Sequence, residues 1–425
     1  MQTASDATTA STRSGWSLRC PYCGHAEAID GGLHGCPACR AAGQTSAMLI
    51  DYADWAPYPG RERRGVGIWA NWGEWLPAVP PEHQLTLGEG NTPLLRVDDL
   101  CELTGCPNLY LKMEAQNPSG AHKDRFHAVI TGVAAALGMR GVIAFSTGNH
   151  GLAMSAYATA HGLESIVIAN ERMPVLLQRA IRFAGGLPLL AAPGVGDAVI
   201  EALLRSGEWL PALTLWPMPL SDPFGVEGYK TIAYEIYRDL GERMADRVFV
   251  PTAGGDLLTG IWLGMRDLAR AGMANAEGRL VACQPAGAAP LVTAFAQDLD
   301  EPPFLANAHS IALSIGDPIS GRMALEAVRA TDGDAIAVTD EEILETGRFL
   351  ASCGLFVEPS SAAPVAAVRQ AVARRPEIRD ETIVCVLTSS ALKWLDDYGA
   401  ASSRPGVPAP TAADGLAAIE KHLSA

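Results

Sequence analysis

From about residue 85 the chain alternates short apolar, often β-branched runs with helical stretches, and this alternation constrains the fold more than any other feature. "GVIAFS" (141–146) precedes "NHGLAMSAYATAHGL", "ESIVIAN" (164–170) precedes "PVLLQRAIRFAG", and "RVFVP" (247–251) precedes "DLLTGIWLGMRDLARA". Strands alternating with helices imply βαβ units, hence an α/β fold with an open parallel sheet covered on both faces. No internal repeat is evident. A chain of 425 residues, 48% hydrophobic and 19% charged, is globular and long enough for two or three domains.

The formal net charge of −15 comes without a long basic run, which weighs against nucleic acid and anionic membranes as partners. An anionic substrate would have to be met by a local site. The uncharged stretch 141–160 carries Ser146, Thr147, Asn149 and His150 at its centre, so it is not read as a membrane span. Residues 1–15 are rich in Ser, Thr and Ala without an apolar segment and read as a disordered tail, not a secretion signal; a cytoplasmic location follows as the default.

Four of the nine cysteines form "CPYCG" and "CPACR", two C-x2-C pairs at Cys20, Cys23, Cys36 and Cys39. Each pair suits a knuckle that turns two thiolates towards one tetrahedral ion, so residues 16–50 are expected to form a ribbon around a structural Zn2+. His25 and His34 lie nearby, but four thiolates already close the coordination sphere. The cysteines at 101, 106, 283, 353 and 385 read as buried free thiols. Residues 51–84, with Trp55, Trp69, Trp72 and Trp75, look like an extended arm packed on a larger body. A main domain at 85–400, with a smaller part at about 110–218 inserted in it, and a Pro-rich linker with a short helix at 401–425 complete the expected organisation.

In open parallel sheets, ligands sit at the carboxyl ends of the strands, so the strand-to-helix turns are where chemistry is sought. Before an Ala-rich helix, "AQNPSGAHKDRFHAVITGVAAALG" (115–138) places Lys123 in the first turn, where the helix dipole destabilises an ammonium and favours an amine nucleophile. A surface lysine paired with Asp124 is the plainer alternative. "FSTGNHG" (145–151) opens a helix with N–H groups able to hold a carboxylate, although simple helix capping explains it too. "VPTAGGDLLTG" (250–260) is a Gly-containing turn that a phosphate could approach, with Asp256 opposing it unless that side chain turns away. "CVLTSSALKW" (385–394) ends a buried strand with the neutral hydroxyl of Thr388. Together they supply an amine nucleophile, a phosphate cup and a carboxylate cup, the equipment for pyridoxal phosphate acting on an amino acid.

The ordered series "LGEGNTPLL" (87–95), "NPSGAHKDR" (117–125), "STGNHG" (146–151), "DPFGVEGYKTIAYEI" (222–236), "SIGDPISG" (314–321), "FVEPSSAA" (356–363) and "VLTSSALK" (386–393) resembles that of the threonine synthase family. The family belongs to the tryptophan-synthase-β-like, fold-type II pyridoxal-phosphate enzymes. The resemblance spans roughly residues 65–395, and the ribbon and "GIWANWGEWLP" resemble the amino-terminal part of many members. It implies a two-domain fold of type II, a small amino-acid substrate and a homodimer. It also implies that Lys123 bonds the cofactor aldehyde and later moves protons at Cα and Cβ. Asn149 would lie beside the cofactor 3-hydroxyl, the loop of Thr252, Ala253, Gly254, Gly255, Asp256 and Leu257 would hold its phosphate, and Thr388 would be the neutral partner of the pyridine nitrogen. Ser146, Thr147, Gly148, Asn149 and His150 would receive the substrate carboxylate.

Departures from the family pattern bear on the substrate. The Phe expected before the lysine is His122, readable as a helix-start residue or as a cofactor contact, and the following Gly is Phe126. A Pro-x-Gly-Lys stretch is replaced by "ANERMP", leaving Arg172 as its nearest cation. The phosphate loop also matches the length of the tetraglycine loop of serine and threonine dehydratases. Threonine synthase chemistry on O-phosphohomoserine would need a second phosphate pocket. The hydroxyls of Ser119 and Thr147 could help there, with Arg172, Lys230 and then His122 as candidate cations; surface ion pairing is the competing reading for Arg172 and Lys230. The remaining readings are β-elimination or β-replacement on a serine-type amino acid and a non-catalytic or regulatory relative that keeps the fold, against which the retention of Lys123 argues.

Overall fold

The computed structural model describes residues 17–28, 35–44, 46–52, 55–171, 173–192, 194–212, 222–395, 398 and 407–423. The expected tail at 1–15, His34 and Arg172 lie outside the described residues.

Two parallel sheets carry the molecule. The larger runs Asp334–Val338, Arg279–Pro285, Arg247–Pro251, Ile383–Val386, Leu109–Lys112 and Leu94–Leu95, in that spatial order. All its neighbours are parallel except the short last pair, where Leu94 faces Lys112. The smaller sheet, Leu187–Leu190, Glu164–Ala169, Gly141–Phe145 and Trp209–Pro211, is wholly parallel and is inserted in the chain between strands of the larger one. The start near 110 expected for the inserted part falls within Leu109–Lys112, which pairs with Ile383–Val386 in the larger sheet. Strands buried on both faces must be apolar along their whole length, and Val248, Phe249 and Val250 are fully buried accordingly.

At the centre lies the helix Gly225–Asp239, in which every residue from Gly225 to Arg238 is buried. It packs between Lys123–Ala136 and Asp256–Arg270, and glycine makes the contact possible: a Cβ on Gly228 would stand 2.0 Å from the Arg125 carbonyl oxygen. A helix buried on all sides cannot leave its charges unpaired. Glu235 accepts from both Arg125 and Lys112 at 2.7 Å, and Arg125 also grips Glu114 at 2.7 Å. This network ties the start of the Lys123 helix to the larger sheet.

The ribbon is a three-stranded antiparallel sheet, Ala26–Ala28, Ser17–Arg19 and Leu49–Asp51, as expected of two knuckles. The arm is not simply extended, because Gly67–Trp72 is helical and continues as a tighter turn, Gly73–Trp75. Trp69, Trp72 and Trp75 recur at three-residue spacing and are buried, with the Trp75 ring 4.9 Å from that of Tyr234 on the central helix. Four of the five isolated cysteines are buried; Cys353 is only half-buried. A terminal helix, Ala412–Leu423, follows the expected linker. Among the described residues, no helix is long and apolar enough to cross a membrane.

Candidate active site

A cavity of about 310 Å³ opens at the carboxyl ends of strands from both sheets, where Phe145, Pro251 and Thr388 all line it. Lys123 is the first residue of its helix and reaches this cavity, as the loop before it suggested. Its Nζ does not pair with Asp124; it lies 3.2 Å from Asp256 Oδ2 and 5.4 Å from the Tyr229 ring centre. Asp124 instead accepts from the backbone and hydroxyl of Ser119 at 2.9 Å. Asp256 therefore does not turn away from the cavity: at the first position of the helix Asp256–Arg270 it reaches across to the lysine.

The cavity gathers His122, Lys123, Ser146, Thr147, Gly148, Asn149, His150, Ala253, Gly254, Asp256, Leu257 and Thr388 from the sequence-derived set. Thr252 and Gly255 sit behind it in the same loop. Thr252 Oγ1 donates to the Val250 carbonyl oxygen at 2.8 Å, and Gly255 takes φ +103°, a left-handed turn in which a Cβ would also strike Ala324. Over Gly254 there is open space, with nothing within 4 Å of where a Cβ would stand. Thr388 Oγ1 lies 2.9 Å from Ser361 Oγ, so the strand end presents a hydroxyl pair. In the turn before Asn149–Ala160, Ser146 Oγ accepts from Gly148 N at 3.1 Å and Gly151 N at 2.9 Å, while the N–H groups of Asn149 and His150 head the helix towards the cavity.

Neither histidine in the cavity is a cation. His122 Nδ1 sits 3.3 Å from the Thr388 carbonyl oxygen, so that nitrogen carries the proton and Nε2 is left bare. Burial, reinforced by the Lys123 charge, holds its pKa well below the usual histidine range. His150 Nε2 donates to the Ala212 carbonyl oxygen at 2.5 Å and its Nδ1 faces His127 Nε2 at 3.3 Å, while burial and then Lys123 push its pKa down to about 4.

The candidate cations for a second phosphate fare poorly. Lys230 is 2% exposed, clamped between Glu227 (2.7 Å) and Asp267 (2.5 Å) and capped by the rings of Tyr52 and Trp55; it does not line the cavity, nor is it a surface pair. The central helix points it towards the arm. Ser119 likewise does not line the cavity, its hydroxyl being committed to Asp124. Among the described lining residues, Lys123 is the sole lysine or arginine.

Eight lining residues were not singled out from the sequence, and three of them, Glu358, Asp317 and Trp394, bear on the chemistry of the cavity. Glu358 stands at the N-cap of Pro359–Arg374 but does not cap it; its carboxylate accepts from Asn149 Nδ2 at 2.9 Å, and burial raises its pKa. Asp317 comes from the turn before Arg322–Ala330, and Trp394 covers Gly148 closely, its ring carbons 3.0 and 3.2 Å from a Cβ built there. The signals were present: both carboxylates precede proline inside motifs already noted, a pattern that marks an element boundary.

Residues 85–389 match the family of pyridoxal-phosphate dependent enzymes. The threonine synthase of Methanocaldococcus jannaschii is 32% identical over 393 residues, covering 91% of this chain and 95% of that protein. That of Methanosarcina acetivorans is 34% identical over 319 residues, 74% of this chain and 78% of its own. Among solved structures, maize serine racemase superposes with a TM-score of 0.61 at 19% identity, over 79% of this chain and 93% of that one, which shows the shared fold. This chain belongs to the pyridoxal-phosphate-dependent enzymes and, within them, to the threonine synthase family of lyases.

Proposed function

We propose that the chain eliminates phosphate from Cγ of O-phospho-L-homoserine and adds water at Cβ, giving L-threonine. The observation that carries this is likeness to threonine synthases along nearly the whole of both chains, joined to one lysine facing a strand-end cavity. The residues fit pyridoxal 5'-phosphate. Asn149 Oδ1 is buried without a hydrogen-bond partner among the described residues and suits a donor such as the cofactor 3-hydroxyl, and the open space over Gly254 suits a phosphate. Lys123, Asn149, the loop 252–257 and Thr388 are the proposed holders. When bound, the cofactor supplies an electron-withdrawing ring that acidifies Cα–H of the amino acid. Lys123 moves protons at Cα and Cβ, the N–H groups of Asn149 and His150 hold the substrate carboxylate, and Asp256 keeps Lys123 aimed into the cavity.

A second reading, β-elimination or β-replacement on a serine-type amino acid, is favoured by the charge of the lining: Asp256, Asp317 and Glu358 against Lys123. A hydroxyl needs no second cation. Incubation with O-phospho-L-homoserine, O-phospho-L-serine, serine and threonine decides between them. L-Threonine with equal phosphate from the first supports the main reading; oxoacid and ammonia from the others, with O-phospho-L-homoserine inert, replaces it.

The ribbon cysteines are proposed to hold one structural Zn2+. Their sulfurs all lie within 4.8 Å of one another, with Cys20–Cys39 at 3.6 Å and Cys23–Cys36 at 3.5 Å. Zn–S bonds of about 2.3 Å fit inside such a cluster. Metal analysis should find one ion per chain, lost in Cys20→Ser; unchanged stoichiometry in the variant removes the proposal. A cytoplasmic homodimer is the proposed working form, on the family resemblance alone.

A further inference from the structure

Most acid–base groups of the cavity are already committed. Asp256 is held by Lys123 at 3.2 Å, and Glu358 by Asn149 at 2.9 Å. His122 presents a proton to the Thr388 carbonyl oxygen, and both His150 nitrogens are engaged. Asp317 is different. Its carboxylate lines the cavity and is exposed there, and no hydrogen bond or ion pair holds it among the described residues. The turn that carries it is fixed to the proposed phosphate loop: Ser320 Oγ donates to the Ala253 carbonyl oxygen at 2.7 Å and Gly321 N to that of Gly254 at 2.6 Å. Asp317 is thus an uncommitted carboxyl on a rigid mount.

We propose that Asp317 is a further catalytic residue, the group that gives a proton to the leaving phosphate and then takes one from the incoming water. The inference rests on the threonine synthase reading above. Lys123 takes a proton from Cβ, the freed electron pair forms the Cβ=Cγ bond as the Cγ–O bond breaks, and the Cγ–O pair passes to the bridging oxygen, which takes the Asp317 proton and departs as hydrogen phosphate. Lys123 gives its proton to Cγ, which becomes the methyl carbon as the double bond shifts to Cα=Cβ; water then bonds to Cβ, the displaced electron pair moves to Cα and is protonated there by Lys123, and the water proton returns to the Asp317 carboxylate. Acid and base roles alternate on one group, which ends as it began. Although the side chain is open to the cavity, the protein packed around it raises the Asp317 pKa to about 6, with Lys123 opposing the rise and Asp256 adding to it, so the carboxyl can both hold and release a proton near neutrality. An incoming phosphate dianion favours the protonated form, the one needed first. This also gives an acidic residue a purpose in a cavity that must accept a phosphate.

The test uses full-length holoenzyme carrying Asp317→Asn or Asp317→Glu, with O-phospho-L-homoserine as substrate and phosphate, threonine and 2-oxobutanoate all measured. Asp317→Asn should keep the absorbance of the lysine-bound cofactor, lose threonine formation by about 10²- to 10⁴-fold, and divert released phosphate equivalents from threonine to 2-oxobutanoate, since unsaturated product escapes unhydrated. Asp317→Glu should recover part of both rate and product ratio. A merely structural residue would lower both products together, so an unchanged threonine to 2-oxobutanoate ratio in Asp317→Asn overturns the proposal, as does a wild-type rate. If the wild type leaves O-phospho-L-homoserine untouched while turning over serine, the functional reading fails and this inference with it.

Discussion

Two lysines sit beside carboxylates near the same central helix, and they behave as opposites. Lys123 has one carboxylate at 3.2 Å, a side chain 18% exposed, and a cavity before it. Lys230 has two carboxylates, two aromatic rings over its ammonium and 2% exposure. A lysine saturated with partners has no electron pair to offer and no route to a ligand; one held by a single carboxylate beside one ring at a cavity wall is aimed without being consumed. The reactivity proposed for Lys123 follows from what is missing around the ammonium, not from how many acids surround it.

The largest effect that separates the two is loss of the nucleophile. Lys123→Ala should abolish turnover and leave no borohydride-reducible pyridoxyl adduct on the protein, checked by peptide mapping after reduction. A pyridoxyl group trapped on Lys230 or any other lysine breaks the comparison at its root. Stability should change far less, because Lys123 is not enclosed by its partner as Lys230 is.

How far these roles can be read in sequence depends on the range of the forces that set them. The ribbon cysteines were legible because ligand spacing is local, and the parallel sheets because continuous apolar runs alternate with helical ones. Lys123 was legible because a loop and a helix start fix its place within a few residues. Lys230 was not: its partners Asp267 and Tyr52 are distant in the chain, and nothing in "VEGYKTIAYEI" says which side of a fully buried helix faces the arm. Glu358 was missed for a related reason, since its position reads as a helix cap while its carboxylate bonds Asn149 across the cavity. The arm helix was missed although the three-residue tryptophan spacing encoded it.

The smaller effect sharpens the comparison from the other side. Lys230→Met leaves the buried Glu227 and the half-buried Asp267 without this counter-charge, with the hydroxyls of Tyr52 (2.5 Å to Glu227) and Tyr234 (2.7 Å to Asp267) still donating. Breaking a buried pair of this kind costs about 3–5 kcal/mol, so the melting temperature should fall by several degrees. Burial already raises the Glu227 pKa, and Lys230 is the main influence pulling it back. Without Lys230 the folded state binds a proton there more readily than the unfolded chain. The variant should therefore be least destabilised below the unfolded glutamate range and lose stability as pH rises through the raised folded value. KM should be unchanged for phosphorylated and unphosphorylated substrates alike, because Lys230 does not reach the cavity. A variant that melts like the wild type but shows a KM raised tenfold for O-phospho-L-homoserine alone would restore Lys230 as a phosphate ligand and erase the distinction between the two lysines.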